Sequence, residues 1–166
     1  LGIGMSYQRP PTIHGLKTRD IVRICDRDKT KAVEDLAAEV NFTDFLDRDI
    51  NAGFSGGEIK RSELLQLMSQ DPDLMLFDEP ESGVDLENIS LIGNSIAGLL
   101  QRNFLAHTEK TQKQAHRHRS KMGLIITHTG YILNYVPADK GQVLYDGVMA
   151  CRGNPQEIFQ TISRSG

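Results

Sequence analysis

Apolar residues recur at helical spacing in several stretches of the chain. Over residues 18–47 they return every three or four positions, which predicts a small group of helices. Residues 58–70 repeat this pattern, and the helix must end before Pro72 because proline cannot continue it. Asp85 is placed to cap a further helix with one apolar stripe, and Pro155 stands where the first residue of a last helix is expected.

Short apolar runs lie between these helices. Residues 74–77 and 124–127 each have the length of a strand that is buried on both faces of a sheet. Residues 1–8 are consistent with a short strand, and residues 142–152 predict a hairpin because an Asp-Gly pair favours a type I′ turn. Since helices alternate with apolar strands, the predicted fold class is α/β.

Composition limits the class of protein but does not identify a reaction. The 166 residues suit one domain, with 39% hydrophobic and 25% charged residues. The net charge of −3 favours neither nucleic acid nor an anionic membrane as a partner. No apolar run is long enough to insert in a membrane, and no signal segment opens the chain. Cys25 and Cys151 form no CxxC pair, so we expect small buried thiols and a cytoplasmic location.

A glycine-rich turn precedes the helix at 58–70. Ser55, Gly56, Gly57 and Glu58 stand where a helix begins, and the glycines let the backbone approach a ligand closely. Free N–H groups and a partial positive charge at a helix start suit a phosphate group. The alternative is a purely structural turn, in which Ser55 only caps the helix.

Polar residues follow both apolar runs. Asp78 and Glu79 come at the carboxyl end of the first run, where ligands bind in α/β sheets. Asp78 is suited to hold magnesium, and Glu79 to polarise a water molecule. His128 follows the second run and could contact a terminal phosphate there. The alternatives are a solvated acidic turn and a structural histidine.

These landmarks, taken in order, resemble a known family. FSGGE, a helix, LMLFDEP, SGVD and IITH match the order and spacing of the ABC ATPase core from Gln8 to His128. The sequence FSGGEIKRSELLQ is more similar to the ATPase of Suf-type iron–sulfur cluster assembly than to transporters, which more often have LSGGQ. Gly83 in DEPESGVD, the stretch SYQRPPTIHGL and the hairpin VLYDGVMACRG also resemble the Suf-type ATPase.

The resemblance implies roles for the residues that would perform the reaction. Gln8 would be the Gln-loop residue, near Mg2+ and the attacking water. Asp78 would be the Walker B carboxylate that holds Mg2+, and Glu79 the general base. His128 would be the switch histidine that senses the γ-phosphate of ATP.

The resemblance also implies a site that is shared between two subunits. The signature residues Ser55 and Gly57 would touch the γ-phosphate of ATP held by a second ABC ATPase subunit, and Gly56 and Glu58 would belong to the same ATP-binding site. Asp85 would lie with them at the interface of this head-to-tail dimer. The implied fold is a partial P-loop NTPase core over residues 1–166.

Two parts of this partial domain are expected. A small helical signature subdomain would cover about residues 12–70, and the Walker B, D-loop and H-loop part about residues 71–166. The chain departs from the family in one respect, because no GxxxxGK(S/T) loop occurs in it. We therefore expect an upstream portion elsewhere, negligible ATP binding by this chain alone, and self-association through an uncovered sheet edge.

Residues 103–121 are polar and basic and form a connection longer than the family's usual one. His107, His116 and His118 could suggest a metal site, but we expect no complete ligand set in this segment. We expect a solvated loop, with docking of an acidic partner by its basic residues as a further hypothesis.

Three functions follow from these observations. The first is an ATPase subunit that uses ATP and Mg2+ to drive a Suf-type scaffold in iron–sulfur cluster assembly. The second is the nucleotide-binding domain of an ABC transporter, with a membrane permease as its partner. The third is a non-catalytic module that contributes only its signature face. Our sequence-based preference is the first.

Overall fold

The computed structural model describes residues 2–26, 32–102 and 120–165. The main sheet has three parallel strands, β1 (Ile3–Ser6), β2 (Leu74–Asp78) and β3 (Met122–Ile126), in the order β1-β2-β3. An antiparallel pair, β4 (Gly141–Tyr145) and β5 (Val148–Gly153), forms a second sheet. Helices separate the parallel strands along the chain, and the α/β class is confirmed.

The helices are α1 (Thr18–Cys25), α2 (Val33–Glu39), α3 (Gly56–Gln70), α4 (Leu86–Leu99) and α5 (Pro155–Ser165). Short 3-10 helices cover Thr43–Phe45 and Tyr131–Asn134. The central helix is α3, which packs against α1, α2, α4 and β1. Because it contacts elements on both sides of residue 70, the division into subdomains near that residue stays a prediction.

One core lies between the sheet and its helices. Leu64, Leu65 and Leu67 of α3 belong to the same buried cluster as Met75 and Phe77 of β2, and all five side chains are at most 2% exposed. Burying each such side chain contributes roughly 1.5–3 kcal/mol to folding. The core therefore fixes α3 against the sheet, and with it the loop from which α3 begins.

The opposite face of the sheet is uncovered in the described part of the chain. Parallel register aligns its outward side chains in rows across β1, β2 and β3, for example Met5 with Leu76 and Leu124. Leu124 and Ile126 are 58% and 56% exposed. The prediction that 124–127 is buried on both faces is therefore wrong. An apolar run shows that a strand suits burial, but not whether other residues cover both of its faces.

The carboxyl-terminal hairpin follows the sequence prediction closely. Asp146 and Gly147 have φ values of 46° and 74°, as a type I′ turn requires. The helix α5 begins at Pro155 as predicted, with the Asn154 side chain accepting the Gln156 N–H at 2.9 Å. Local turn and cap chemistry decides this part of the fold.

The cysteines differ from the prediction of buried thiols. Cys25 is half-buried, and burial raises the pKa of its thiol. Cys151 is exposed, because every residue of β5 is exposed. Among the described helices, none combines the length and apolar character needed to cross a bilayer. The predictions for His107, His116 and His118 concern residues 103–119, which lie outside the described residues.

Candidate active site

The candidate catalytic residues meet at one edge of the sheet. Gln8 follows β1, Asp78 ends β2, and His128 follows β3. Ser6 lies opposite Phe77, and Asp78 opposite Ile126, so the three strands end at nearly the same level. Parallel pairing thus brings residues from three distant parts of the chain to the edge where α/β proteins bind ligands.

Glu79 contacts both Gln8 and His128. Its Oε2 accepts a hydrogen bond from Gln8 Nε2, and its Oε1 lies 3.0 Å from His128 Nδ1. The Glu79 side chain is 19% exposed and that of His128 is 64% exposed, so the cluster opens to solvent on the histidine side. Sequence reasoning placed these residues at one site, and the structure brings all three into contact.

The backbone at Glu79 is unusual. Its φ of 47° lies in the left-handed region, which costs a residue with a β-carbon on the order of 1 kcal/mol. The Glu79 N–H donates to Ile126 O at 2.9 Å, so the turn is held by the neighbouring strand. The strand β2 ends at Asp78, and this turn follows it directly.

Asp78 is half-buried at the end of β2. A carboxylate here, together with the amide oxygen of Gln8, offers the hard oxygen donors that Mg2+ prefers, and Mg2+ usually keeps several waters beside one or two carboxylates. Within the described residues, no three His, Cys, Asp or Glu side chains form a metal cluster. A role of Asp78 and Gln8 in holding Mg2+ stays a prediction, which the oxygen chemistry of the two side chains permits.

The buried carboxylate of Glu81 accepts hydrogen bonds from the loop that carries His128. Glu81 is 5% exposed, and its Oε1 accepts hydrogen bonds from Thr127 Oγ1 and, at 2.8 Å, from Thr129 Oγ1. These threonines flank His128 in the sequence. Thr127 Oγ1 also accepts the Gly130 N–H at 2.9 Å. Glu81 therefore joins the loop after β2 to the loop that carries His128.

The signature loop forms a capping box at the start of α3. Ser55 Oγ accepts the Glu58 N–H at 3.4 Å, and Glu58 Oε2 accepts the Ser55 N–H at 2.7 Å. The structural alternative for Ser55 is thus realised, and the Glu58 carboxylate is engaged in the cap. A phosphate contact of Ser55 stays a prediction, with its hydroxyl exposed at the helix start.

A second loop packs directly on the signature loop. A β-carbon added to Gly56 would lie 2.0 Å from Gly83 O, and one added to Gly57 would lie 3.2 Å from the side chain of Asn88. Asp85 caps α4 by accepting the Asn88 N–H at 2.9 Å. These residues form a second cluster, which the chain reaches from Glu79 through a turn in which the Ser82 N–H donates to Glu79 O at 3.0 Å.

Five residues of these clusters were missed by sequence reasoning: Lys60, Glu63, Glu81, Thr127 and Thr129. Lys60 and Glu63 lie on the inner side of α3, where burial lowers the pKa of the amine and raises that of the carboxyl group. A signal existed for Lys60, because it stands one turn before the buried Leu64. Nothing in the local pattern distinguished Glu81 from a surface carboxylate.

The sequence is similar to proteins described as ABC transporters or ATP-dependent transporters. The family described as ABC transporter matches residues 2–82. A "Probable ATP-dependent transporter" of Synechocystis sp. is 32% identical over 170 residues, covering 93% of this chain and 60% of that protein. A protein of the same description from Cyanidium caldarium is 31% identical over 181 residues, covering 100% of this chain and 64% of the relative. The chain thus spans less than two thirds of the length of either relative.

Solved structures give the same fold. One chain of the structure titled "An inward-facing conformation of a putative metal-chelate type ABC transporter" matches this chain with a TM-score of 0.68 and 18% identity. The alignment covers 94% of this chain and 60% of that chain. At this identity the likeness concerns the fold alone. The chain therefore has the mixed α/β fold of an ABC ATPase nucleotide-binding domain, with the ABC transporter family matched over residues 2–82.

Proposed function

We propose that this chain provides the signature, Walker B and switch-histidine residues of an ABC ATPase that hydrolyses ATP. The observation that carries the proposal is the contact of Glu79 with both Gln8 and His128, beside Asp78, at the carboxyl ends of three parallel strands. A carboxylate held between an amide and an imidazole is well placed to orient a water molecule. Phosphoryl transfer depends mainly on such positioning.

In this proposal Glu79 accepts the proton of the attacking water. The water oxygen bonds to the γ-phosphorus, and the bond from that phosphorus to the bridging oxygen of ADP breaks. His128, on the solvent side of Glu79, contacts the phosphate. Mg2+ held by Asp78 and Gln8 would neutralise phosphate charge.

The signature residues serve a second subunit in this proposal. Ser55 stands exposed at the start of α3, while Gly56 packs on the loop that leads to Asp85. The exposed helix start supports a γ-phosphate contact by Ser55 and Gly57 in trans, with Gly56, Glu58 and Asp85 at the same interface. The pairing would place ATP between two ABC ATPase subunits.

The finer proposal is that the ATPase serves a Suf-type scaffold in cytoplasmic iron–sulfur cluster assembly. It is supported by FSGGE, DEPESGVD and the carboxyl-terminal hairpin, which resemble the Suf-type ATPase. The test is direct binding to purified Suf-type scaffold subunits. Binding to a scaffold subunit supports the proposal, whereas binding to a membrane permease alone contradicts it.

The second candidate is the nucleotide-binding domain of a transporter. The observation in its favour is the description of the relatives from Synechocystis sp. and Cyanidium caldarium as ATP-dependent transporters. The same binding experiment distinguishes the two candidates, because a transporter domain should bind its permease and not the scaffold.

The hydrolytic role is tested in two steps. Calorimetric titration of this chain with ATP and Mg2+ should show negligible binding, because the phosphate-cradling loop is not part of it. The chain is then joined to an ABC ATPase segment that carries GxxxxGK(S/T). In this fusion, Glu79→Gln should retain ATP and lower turnover by about 100-fold or more. The exposed Glu87→Gln is the matched control, and unchanged turnover in Glu79→Gln would contradict the assignment.

Self-association of the isolated chain also belongs to the proposal. The uncovered sheet face carries Met5, Leu124 and Ile126, and β1 and β3 are the edges of the three-stranded sheet. Light scattering over a concentration series should show species larger than 18.5 kDa. A constant monomer mass at all concentrations would contradict this expectation.

A further inference from the structure

Two charged residues are buried on the inner side of α3. Lys60 and Glu63 are 2% and 5% exposed, and Lys60 Nζ lies 3.6 Å from Glu63 Oε2. Removing two charges from water costs several kcal/mol per ion unless further hydrogen bonds compensate. The surrounding contacts therefore decide what the pair does.

The Lys60 ammonium contacts the backbone that follows β1. It donates to Tyr7 O at 2.5 Å and to Gln8 O at 3.3 Å, and it forms an ion pair with Glu63. Two of the three ammonium protons thus have carbonyl acceptors, and the Glu63 carboxylate lies within ion-pair distance. The carbonyl oxygens of the two successive residues Tyr7 and Gln8 are thus attached to α3.

Glu63 also binds this segment, through Ser6 and Tyr7. Its Oε1 accepts the Tyr7 N–H at 2.7 Å, and its Oε2 accepts the hydroxyl of the buried Ser6 at 3.0 Å. Together the pair engages Ser6, Tyr7 and Gln8. The next group outward is the Gln8 side chain, which donates to Glu79.

We propose that Lys60 and Glu63 are positioning residues that hold the backbone after β1 so that the Gln8 amide reaches Glu79. Because Ser55 begins the same helix, this arrangement joins the signature loop to the cluster around Glu79 through α3. A movement of α3 on phosphate binding at its first turn would be passed to Gln8. The catalytic meaning of the pair rests on the proposed function, while its effect on the Gln8 side chain does not.

An apolar pair would fill the same space but could not perform this role. Well-packed apolar residues often replace a buried ion pair without loss of stability. They would offer no donor to Tyr7 O and Gln8 O and no acceptor to the Tyr7 N–H. The distinctive prediction is therefore a change at Gln8, not a change in stability.

The test uses the Gln8 side-chain amide as a reporter in NMR spectra of the 166-residue chain. In the unmodified chain, Glu79→Gln should shift the Gln8 amide signals, because it changes their acceptor. In a Lys60→Met background the same Glu79→Gln change should produce little or no shift, since Gln8 no longer reaches residue 79. A full shift in that background overturns the proposal.

Two further variants separate positioning from general damage. Lys121→Met is the matched control, because Lys121 also binds a backbone oxygen at 2.9 Å, that of Asp71, but far from Gln8. It should leave the reporter intact. If Lys60→Met does not fold, Glu63→Gln is measured instead by hydrogen exchange. In Glu63→Gln the Tyr7 amide proton should exchange about ten- to a hundredfold faster than in the unmodified chain, because its hydrogen bond to residue 63 loses a charged acceptor. An unchanged exchange rate overturns the proposal.

An activity measurement distinguishes this inference from the proposed function. In the ATPase fusion, Lys60→Met should lower kcat and leave KM for ATP nearly unchanged, whereas Lys60→Arg should recover part of the loss. If the unmodified fusion fails to hydrolyse ATP, the proposed function is wrong, and the NMR result still decides the role of Lys60. If the fusion is active and Lys60→Met leaves kcat unchanged, the positioning role is wrong.

Discussion

The loop that carries His128 should depend on the threonines beside it. Thr127 Oγ1 donates to the buried Glu81 and accepts the Gly130 N–H at 2.9 Å, so Thr127→Val removes two hydrogen bonds. Thr129→Val removes one, at 2.8 Å to Glu81. Valine keeps the shape of threonine, and the loss therefore reports on the hydroxyl group.

The expected magnitudes follow from these contacts. A hydrogen bond to a charged group contributes about 1.5–3 kcal/mol, and an ordinary one about 1 kcal/mol. Thr127 is half-buried, so water replaces part of what is lost. We expect Thr127→Val to lower the free energy of unfolding by about 2–4 kcal/mol and Thr129→Val by about 1–2 kcal/mol.

Urea denaturation of the 166-residue chain measures both changes, provided that the slope with denaturant is unchanged. The control is Thr161→Val, whose hydroxyl bonds a carbonyl on the exposed helix α5 and whose loss should cost about 0.5 kcal/mol or less. A cost below about 0.5 kcal/mol for Thr127→Val, or a larger cost for Thr129→Val than for Thr127→Val, would refute the reasoning that Glu81 anchors this loop.

Three further changes test the signature loop and the loop at residues 83–85 that packs on it. Gly56→Ala should lower the free energy of unfolding, measured by urea denaturation, by about 1–3 kcal/mol, because the new β-carbon would lie 2.0 Å from Gly83 O. Gly153→Ala is the control, because its β-carbon would lie 3.9 Å from the nearest atom. Equal effects of the two changes would contradict this prediction. Ser55→Ala should cost about 1 kcal/mol through loss of the capping box, and a neutral result would argue against the cap. The pKa of Asp85 is lowered from 3.8 by its bond from a backbone N–H. The stability it contributes is therefore present above pH 3.8 and lost as pH falls below that value, and Asp85→Asn, which still caps, should show a smaller loss in acid; an identical acid profile would contradict this.

Local chemistry was sufficient for several elements of this protein. The type I′ turn, the start of α5 at Pro155 and the cap of α4 by Asp85 depend on residues within a few positions of one another. The strands β2 and β3 were recognisable from their apolar runs. The order of motifs from Gln8 to His128 indicated which residues belong to one site, because the resemblance places them there.

Only the tertiary structure decided the remaining contacts. Gln8 and Glu79 meet although they stand 71 residues apart, because parallel pairing aligns the ends of β1 and β2. The burial of Lys60 and Glu81 depends on partners 46 or more residues away in sequence, so local pattern could not distinguish them from surface charges. The exposed face of β3 was unpredictable for the same physical reason: a strand's own residues determine that it can be buried, whereas distant residues determine whether it is.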